Sequence, residues 1–294
     1  DKLSRNLTMH VPLIDWQNFD EAQFEQAYTE VGFARLYNIW TEQEQVTMSN
    51  WFSAVESWFK QSTNKTDYEA TGDILDGWVD IGQQFLSPFR RNDFKETFEI
   101  ETLHDPSVVP SALSSQLKQA LPIIHNTGLN CLKKFEQLLS CNYLVELHES
   151  IYHHHIRTAF YPATEARKNQ LPCGEHKDYN SITLLFSPDA HKRLQIKDRQ
   201  GEWHDIRYRP NSVVVNIGNI MQKWTNNYLT SAVHRVLPSN ADSFTTAYFM
   251  YPHKQTALHM IGPKAVTQKH PVTVEQALKL FDKAKQDARS RVGI

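Results

Sequence analysis

The sequence predicts an α+β fold, with helices gathered in the first half and a β-rich sandwich, barrel or jelly roll in the second. Three observations predict it. Helix caps followed by apolar residues at helical spacing recur up to about residue 139. Short β-branched and aromatic runs separated by turn residues take over after residue 180. The change of character, near residue 150, occurs without a low-complexity linker. Residues 1–150, mainly helical, and residues 151–294, β-rich with a closing helix, are therefore read as two parts of one compact unit.

Asp20 is placed to cap a first helix, with Gln23 three residues on. Phe24, Ala27, Tyr28 and Val31 repeat at helical spacing and Gly32 supplies the stop. Thr41 and Glu44 repeat the capping pattern ahead of Met48, Trp51, Phe52, Val55 and Phe59, an apolar stripe read as core packing. A longer helix is expected from about Ser111 to Leu139. Ile182 to Phe186, Ser212 to Ile217, Val233 to Leu237 and Thr245 to Tyr251 then have the length and composition of strands. Thr273 and Gln276 cap a last helix with Ala277, Leu278, Leu280 and Phe281 on its apolar face.

With 294 residues, 40% of them hydrophobic, the chain can bury a large core. A formal net charge of -2 gives no electrostatic reason to expect nucleic acid or an anionic membrane as partner. No apolar stretch approaches the roughly 18 residues of a membrane span. Cys131, Cys141 and Cys173 are odd in number and lack a C-x-x-C spacing, so neither a disulfide framework nor a thiolate metal site is expected. A reduced, cytoplasmic setting and a monomer are expected instead. The opening Asp1-Lys2-Leu3-Ser4 shows no secretory pattern and no initiator Met, which suggests processing or trimming.

The most informative chemistry is His176-Lys177-Asp178, answered 58 residues later by His234. On a strand, residues i and i+2 face one way, so His176 and Asp178 can meet one metal while Lys177 points away. Neutral imidazole suits Fe(II), Zn(II) and Cu(II), and the carboxylate shifts the preference towards Fe(II). Three protein ligands leave further positions open on a six-coordinate ion. By contrast, His153-His154-His155 cannot converge on one ion, because neighbouring strand residues face opposite sides; a packing or surface role is expected. His204, His253 and His259 have no partner spacing.

From about Val11 to Pro252 the chain resembles the Fe(II)/2-oxoglutarate-dependent oxygenases of the isopenicillin N synthase-like group. The similarity runs through Val11-Pro12-Leu13-Ile14-Asp15, Gly32-Phe33 and Asp93-Phe94-Lys95-Glu96-Thr97-Phe98. It is denser at Tyr161-Pro162, His176 to Asp178, Gly201-Glu202-Trp203, Pro210 to Asn219, Trp224 to Asn227 and Ser231 to Val236. The resemblance implies a double-stranded β-helix (jelly-roll, cupin-like) core with flanking N-terminal and C-terminal helices. It implies His176, Asp178 and His234 as iron ligands, and 2-oxoglutarate and O2 as co-substrates. The implied reaction oxidises an unactivated C–H bond of a small molecule by hydroxylation, desaturation or ring closure, as in secondary metabolism.

One departure stands out. The family carries Arg-x-Ser after the distal histidine, the Arg pairing with the far carboxylate of 2-oxoglutarate. Here Ser243 falls at the Arg position and Thr245 at the Ser position. A hydroxyl gives no bidentate charge-assisted pair. Tyr161 matches a tyrosine that contacts the co-substrate, and Arg157, four residues earlier on the same strand face, could meet either the co-substrate or an acidic, amino-acid-like substrate. Lys223 and Arg235 are further candidate cations. Trp78, after Asp73-Ile74-Leu75-Asp76-Gly77, falls where the family carries a loop near the site mouth and is a candidate substrate contact. Two rival readings follow: an iron oxidase that activates O2 without 2-oxoglutarate, and a non-catalytic protein of the same fold.

Overall fold

The computed structural model describes residues 11–70, 76–101, 103, 105–188 and 193–293. The opening tetrapeptide and Asp73-Ile74-Leu75 lie outside the described residues. The chain first contributes β1 (Leu13–Asp15), α1 (Glu21–Gln26), β2 (Phe33–Tyr37), α2 (Glu42–Gln61), β3 (Gly77–Val79), β4 (Glu96–Ile100), α3 (Ser111–Leu139) and α4 (Leu144–Leu147). It then adds β5 (His155–Tyr161), β6 (Cys173–His176), β7 (Ile182–Phe186), β8 (Leu194–Lys197), β9 (Trp203–Ile206) and β10 (Ser212–Ile217). The last elements are α5 (Asn219–Trp224), β11 (His234–Val236), β12 (Ser243–Met250) and α6 (Val274–Val292).

The expected caps form. Asp20 accepts from the Gln23 amide at 3.0 Å, and both Thr41/Glu44 and Thr273/Gln276 close reciprocal capping boxes. Each satisfies amide donors that a helix start leaves open. After α1 the chain widens into a π-turn over Ala27–Val31, which Gly32 ends at φ 80. A Cβ at Gly32 would also stand 2.1 Å from the Thr230 carbonyl oxygen, so both backbone angle and space demand glycine there.

The strands form two sheets. The larger runs β1-β2-β10-β7-β12-β5-β4-β3 and the smaller β6-β11-β8-β9. They face each other as a double-stranded β-helix. One face of the large sheet packs on α2 and α3 through Trp51, Val55, Ile124, Phe135, Leu184 and Tyr248. Trp51 Nε1 donates to Thr246 Oγ1 at 3.0 Å, which joins α2 to β12 without leaving a buried indole donor unmatched. The other face meets the small sheet through Phe33, Ala159, Tyr161, Leu194, Ile196 and Val214. With cover on both sides, β10 reads as one buried run rather than an alternating one.

The first half is less helical than its sequence suggests. Four of the eight strands in the large sheet, β1 to β4, come from it. They are three to five residues long, and β4 (Glu-Thr-Phe-Glu-Ile) carries two acids, one of which is fully buried. Partners distant in sequence, not local pattern, make these strands: β2 pairs with β10 and β4 with β5. Among the described residues no helix is long and apolar enough to cross a membrane.

Candidate metal centre and its two cavities

The small sheet presents the histidines. His176 ends β6 and His234 opens β11, and the two are register partners with ring centroids 4.1 Å apart. Each Nδ1–H donates to a carbonyl two residues back in sequence, His176 to Gly174 at 2.8 Å and His234 to Ala232 at 3.2 Å. This tautomer turns both Nε2 lone pairs toward a common point. The Phe33 ring meets His234 edge-on, with centroids 5.2 Å apart, and limits its rotation.

The large sheet holds the carboxylate. Asp178 Oδ2 accepts from Thr183 Oγ1 at 2.6 Å and from Asn216 Nδ2 at 2.8 Å. Thr183 on β7 and Asn216 on β10 are themselves a cross-strand pair. With Oδ2 engaged, Oδ1 is directed to the histidines and lies 3.6 Å from His176 Nε2 and 3.7 Å from His234 Nε2. All three donor atoms fall within 4.8 Å of one another, a spacing that one ion with bonds of about 2.0–2.2 Å can bridge. Two imidazoles and a carboxylate, with backbone and side-chain groups orienting every donor, fit a divalent iron centre.

Electrostatics agree with a site built for a cation. Burial opposes the Asp178 charge, yet His234 and His176 hold its carboxyl far below the usual range. Burial and the neighbouring His176 push His234 down to about 4. His176 moves the other way, because Cys173 and Asp178 outweigh its own burial.

Two spaces meet at these ligands. An outer cavity of about 380 Å³ is bounded by His176, Asp178, Phe89, Arg157, Tyr251 and Lys177, with Lys285 of α6 across the opening. On the inner side, a slot of about 50 Å³ touches all three ligands, Lys95, Tyr161 and Thr245. A further pocket of about 30 Å³ shares Tyr161 and Thr245 with it and adds Arg193, Tyr208 and Ser243.

The expected residues distribute unevenly over this plan. Tyr161, Arg157, Ser243 and Thr245 all line it. Arg157 does so as half of a pair: its Nε donates to the fully buried Glu99 at 2.7 Å, and His155 stands 2.6 Å from the other Glu99 oxygen. Burial works against the Glu99 charge, but Arg157 and His155 hold its carboxyl well below the usual carboxylate range. Lys223 is exposed on α5 and is not brought to the ligands. Trp78 lies in β3, where its indole donates to Glu96 Oε2 at 3.0 Å, and it lines neither cavity at the ligands. Arg235 stacks on Trp203 at 3.8 Å and donates to Gln195, on the face away from the site. Lys177 does not point away as strand alternation would have it; β6 ends at His176, so the alternation no longer governs it, and it borders the outer cavity. The three consecutive histidines separate: His154 is buried against the His148 carbonyl, His155 joins Glu99, and His153 stacks edge-on with His253.

Sequence reading passes over Thr183, Asn216, Lys95, Glu99 and Arg193. The single Asn inside the apolar run Val213 to Ile217, and the lone Thr among Ile182 to Phe186, are available signals, since a buried polar side chain needs a partner. Lys95, 3% exposed, is fastened to Asp93 at 2.6 Å, a pairing that composition does not reveal.

Fold and donor set together describe a double-stranded β-helix with one group of side chains that could hold a single metal ion. The profile of the 2OG-Fe(II) oxygenase superfamily matches residues 135–252. Codeine O-demethylase of Papaver somniferum is 26% identical over 277 residues, 86% of this chain and 74% of that protein. UPF0676 protein C1494.01 of Schizosaccharomyces pombe is 39% identical over 100 residues, 32% of this chain. The chain spans only 31% of that protein's length, and 27% of a homoarginine-6-hydroxylase of Glycine max. A full-length Neurospora crassa protein, crystallised in complex with alpha-KG, superposes with a TM-score of 0.74 at 22% identity, covering 93% of this chain and 96% of that one. The superfamily profile thus covers the β-rich part of the chain, and the likeness to the solved structure extends the shared fold over nearly all of it.

Proposed function

We propose that this chain is an Fe(II)- and 2-oxoglutarate-dependent oxygenase that oxidises a C–H bond of a small anionic molecule. The observation that carries the reading is the His176–Asp178–His234 group, oriented on every member and placed between a wide outer cavity and a narrow inner one. His176, Asp178 and His234 would hold the iron. Bound iron supplies the redox chemistry by which 2-oxoglutarate and O2 become succinate and CO2 while the substrate loses hydrogen or gains oxygen. The protein's part is geometric. Thr183 and Asn216 keep Asp178 aimed, the two carbonyls keep the imidazoles neutral at Nε2, and the slot admits only a slender co-substrate.

Substrate choice belongs to the outer cavity. Arg157, Lys177 and Lys285 converge there, and neither lysine forms an ion pair among the described residues. Of the two acids there, Asp178 belongs to the metal group and Glu175 is already taken by Arg90 and Arg235. A carboxylate-bearing substrate, amino-acid-like in size, suits that balance. The protein is proposed to act as a monomer. Hydroxylation, desaturation and ring closure are the outcomes open to such a site.

The test is anaerobic addition of Fe(II) and 2-oxoglutarate, reading the weak visible band of the chelate, followed by succinate release under O2. Band and succinate together are expected, and neither appearing refutes the proposal. Ser243 at the position of the family's arginine favours one second reading, an iron oxidase that works without 2-oxoglutarate. Oxidation of substrate without succinate would establish it. A carboxylate library, screened for substrate-stimulated succinate with K177M and K285M as comparisons, addresses the anionic class.

A further inference from the structure

A dicarboxylate held at the metal by one end needs a cation at the other, and β12 offers none. Ser243, Thr245, Ala247 and Phe249 are its inward residues, in register with Tyr161, Ala159, Arg157 and His155 of β5. The two cations that line the slot are Lys95, 2.6 Å from Asp93, and Arg157, 2.7 Å from Glu99. Arg157 borders both the outer cavity and the slot, beside Phe249, but not the small pocket at the deep end. A different arginine stands at the deep end. Arg193 immediately precedes β8, is only 4% exposed, and lines the same small pocket as Tyr161, Tyr208, Ser243 and Thr245.

We propose that Arg193 receives the far carboxylate of 2-oxoglutarate. This deepens the reading given under Proposed function and rests on it. The guanidinium is fixed rather than loose. It donates to the Tyr161 carbonyl at 3.3 Å, to the Ser239 carbonyl at 3.4 Å and to the Ala241 carbonyl. These acceptors belong to the end of β5 and to the turn that leads into β12, so Arg193 bridges the two strands whose inward residues form the pocket wall. A guanidinium has five N–H donors in one plane and can serve carbonyls and a carboxylate together. A side chain entering from β8 reaches the space that a serine at 243 leaves open. Hydroxyls of Ser243, Thr245 and Tyr161 stand around it to take the remaining carboxylate lone pairs. Burial keeps the Tyr161 phenol well above its usual pKa, hence protonated and able to donate. The slot between the ligands and Arg193 is lined by Leu185, Leu194 and Val236, a dry channel suited to the two methylenes of the co-substrate.

The experiment compares two ligands of equal chain length, 2-oxoglutarate and 2-oxopentanoate, which lacks the far carboxylate. Calorimetric affinities are measured on the full-length protein loaded with Mn(II), for wild type, R193M, R193K and K95M. Wild type is expected to prefer 2-oxoglutarate. R193M should lose that preference by about 10- to 150-fold, the range for hydrogen bonds to a charged group, while binding 2-oxopentanoate unchanged. R193K keeps the charge without the fork and should fall between. A wild type without preference, an R193M or R193K with full preference, or a K95M that abolishes it would overturn the assignment. Should R193M fail to fold, R193K carries the comparison. A Mn(II)-loaded wild type that binds neither 2-oxo acid would instead refute the co-substrate reading itself.

Discussion

Replacing Thr183 by valine tests how the metal site is aimed. The change keeps side-chain shape and removes one hydroxyl, which donates to Asp178 Oδ2 at 2.6 Å and also meets Asn180 at 3.1–3.2 Å. A hydrogen bond to a charged group contributes about 1.5–3 kcal/mol, which at about 1.4 kcal/mol per decade is roughly 10- to 150-fold in metal affinity. Asn216 still holds the same oxygen at 2.8 Å, so T183V should sit toward the lower end of that range. The double variant T183V/N216L should lose more than the sum of the single losses, since each donor compensates for the other. The assay is competition with a chelator under anaerobic Fe(II), repeated with Zn(II), with a thermal melt to establish folding. If T183V folds normally and holds both metals within twofold of wild type, the oriented carboxylate is not what makes the site.

Three further outcomes follow from the same geometry. E99Q leaves Arg157 charged beside a partly buried wall and should lower stability by about 3 kcal/mol in urea melts, the low end for a broken buried pair because Arg157 retains some access to the cavity. The Glu99 carboxyl is held below its unfolded pKa, so its contribution is full above about pH 4.3 and is lost as pH falls toward the folded value. The E99Q stability curve should therefore be flatter than wild type on the acid side, and parallel curves would contradict the pairing. G218A places a methyl 2.0 Å from the Asn180 carbonyl oxygen; overpacking of about 1–3 kcal/mol should lower the Tm, with metal affinity falling alongside because Asn180 lies two residues from Asp178. D178A should abolish metal retention in elemental analysis, and undiminished occupancy would remove the aspartate from the ligand set.

Much of this is legible in the residues themselves. The caps at Asp20, Thr41 and Thr273 need only local chemistry, and each helix begins where its cap places it. The metal group is legible for a related reason: His176 and Asp178 are two apart and His234 opens an apolar run. What eludes the sequence depends on distant partners. β2 and β4 are short, and they exist because β10 and β5 offer edges. Thr183 and Asn216 are ordinary residues until pairing brings them to one carboxylate oxygen. Lys223 and Arg235 show the reverse failure: position near a motif makes them candidates, yet α5 turns one outward and Trp203 holds the other on the far face.

The register of β5 against β12 sets the plan of the pocket wall. Inward positions of the two strands meet as Ser243–Tyr161, Thr245–Ala159, Ala247–Arg157 and Phe249–His155, from the closed end to the mouth. Hydroxyls therefore cluster at the deep end, small side chains face one another in the middle, and the charged Glu99–Arg157–His155 group lies toward the opening. A cation set on β12 would have to cross the pocket from one wall. Arg193 enters from β8, outside this ladder, and its anchors are main-chain carbonyls that no side-chain change on β12 removes. If Arg193 receives the co-substrate as proposed, backbone geometry, not the identity of residue 243, sets where the positive charge is delivered.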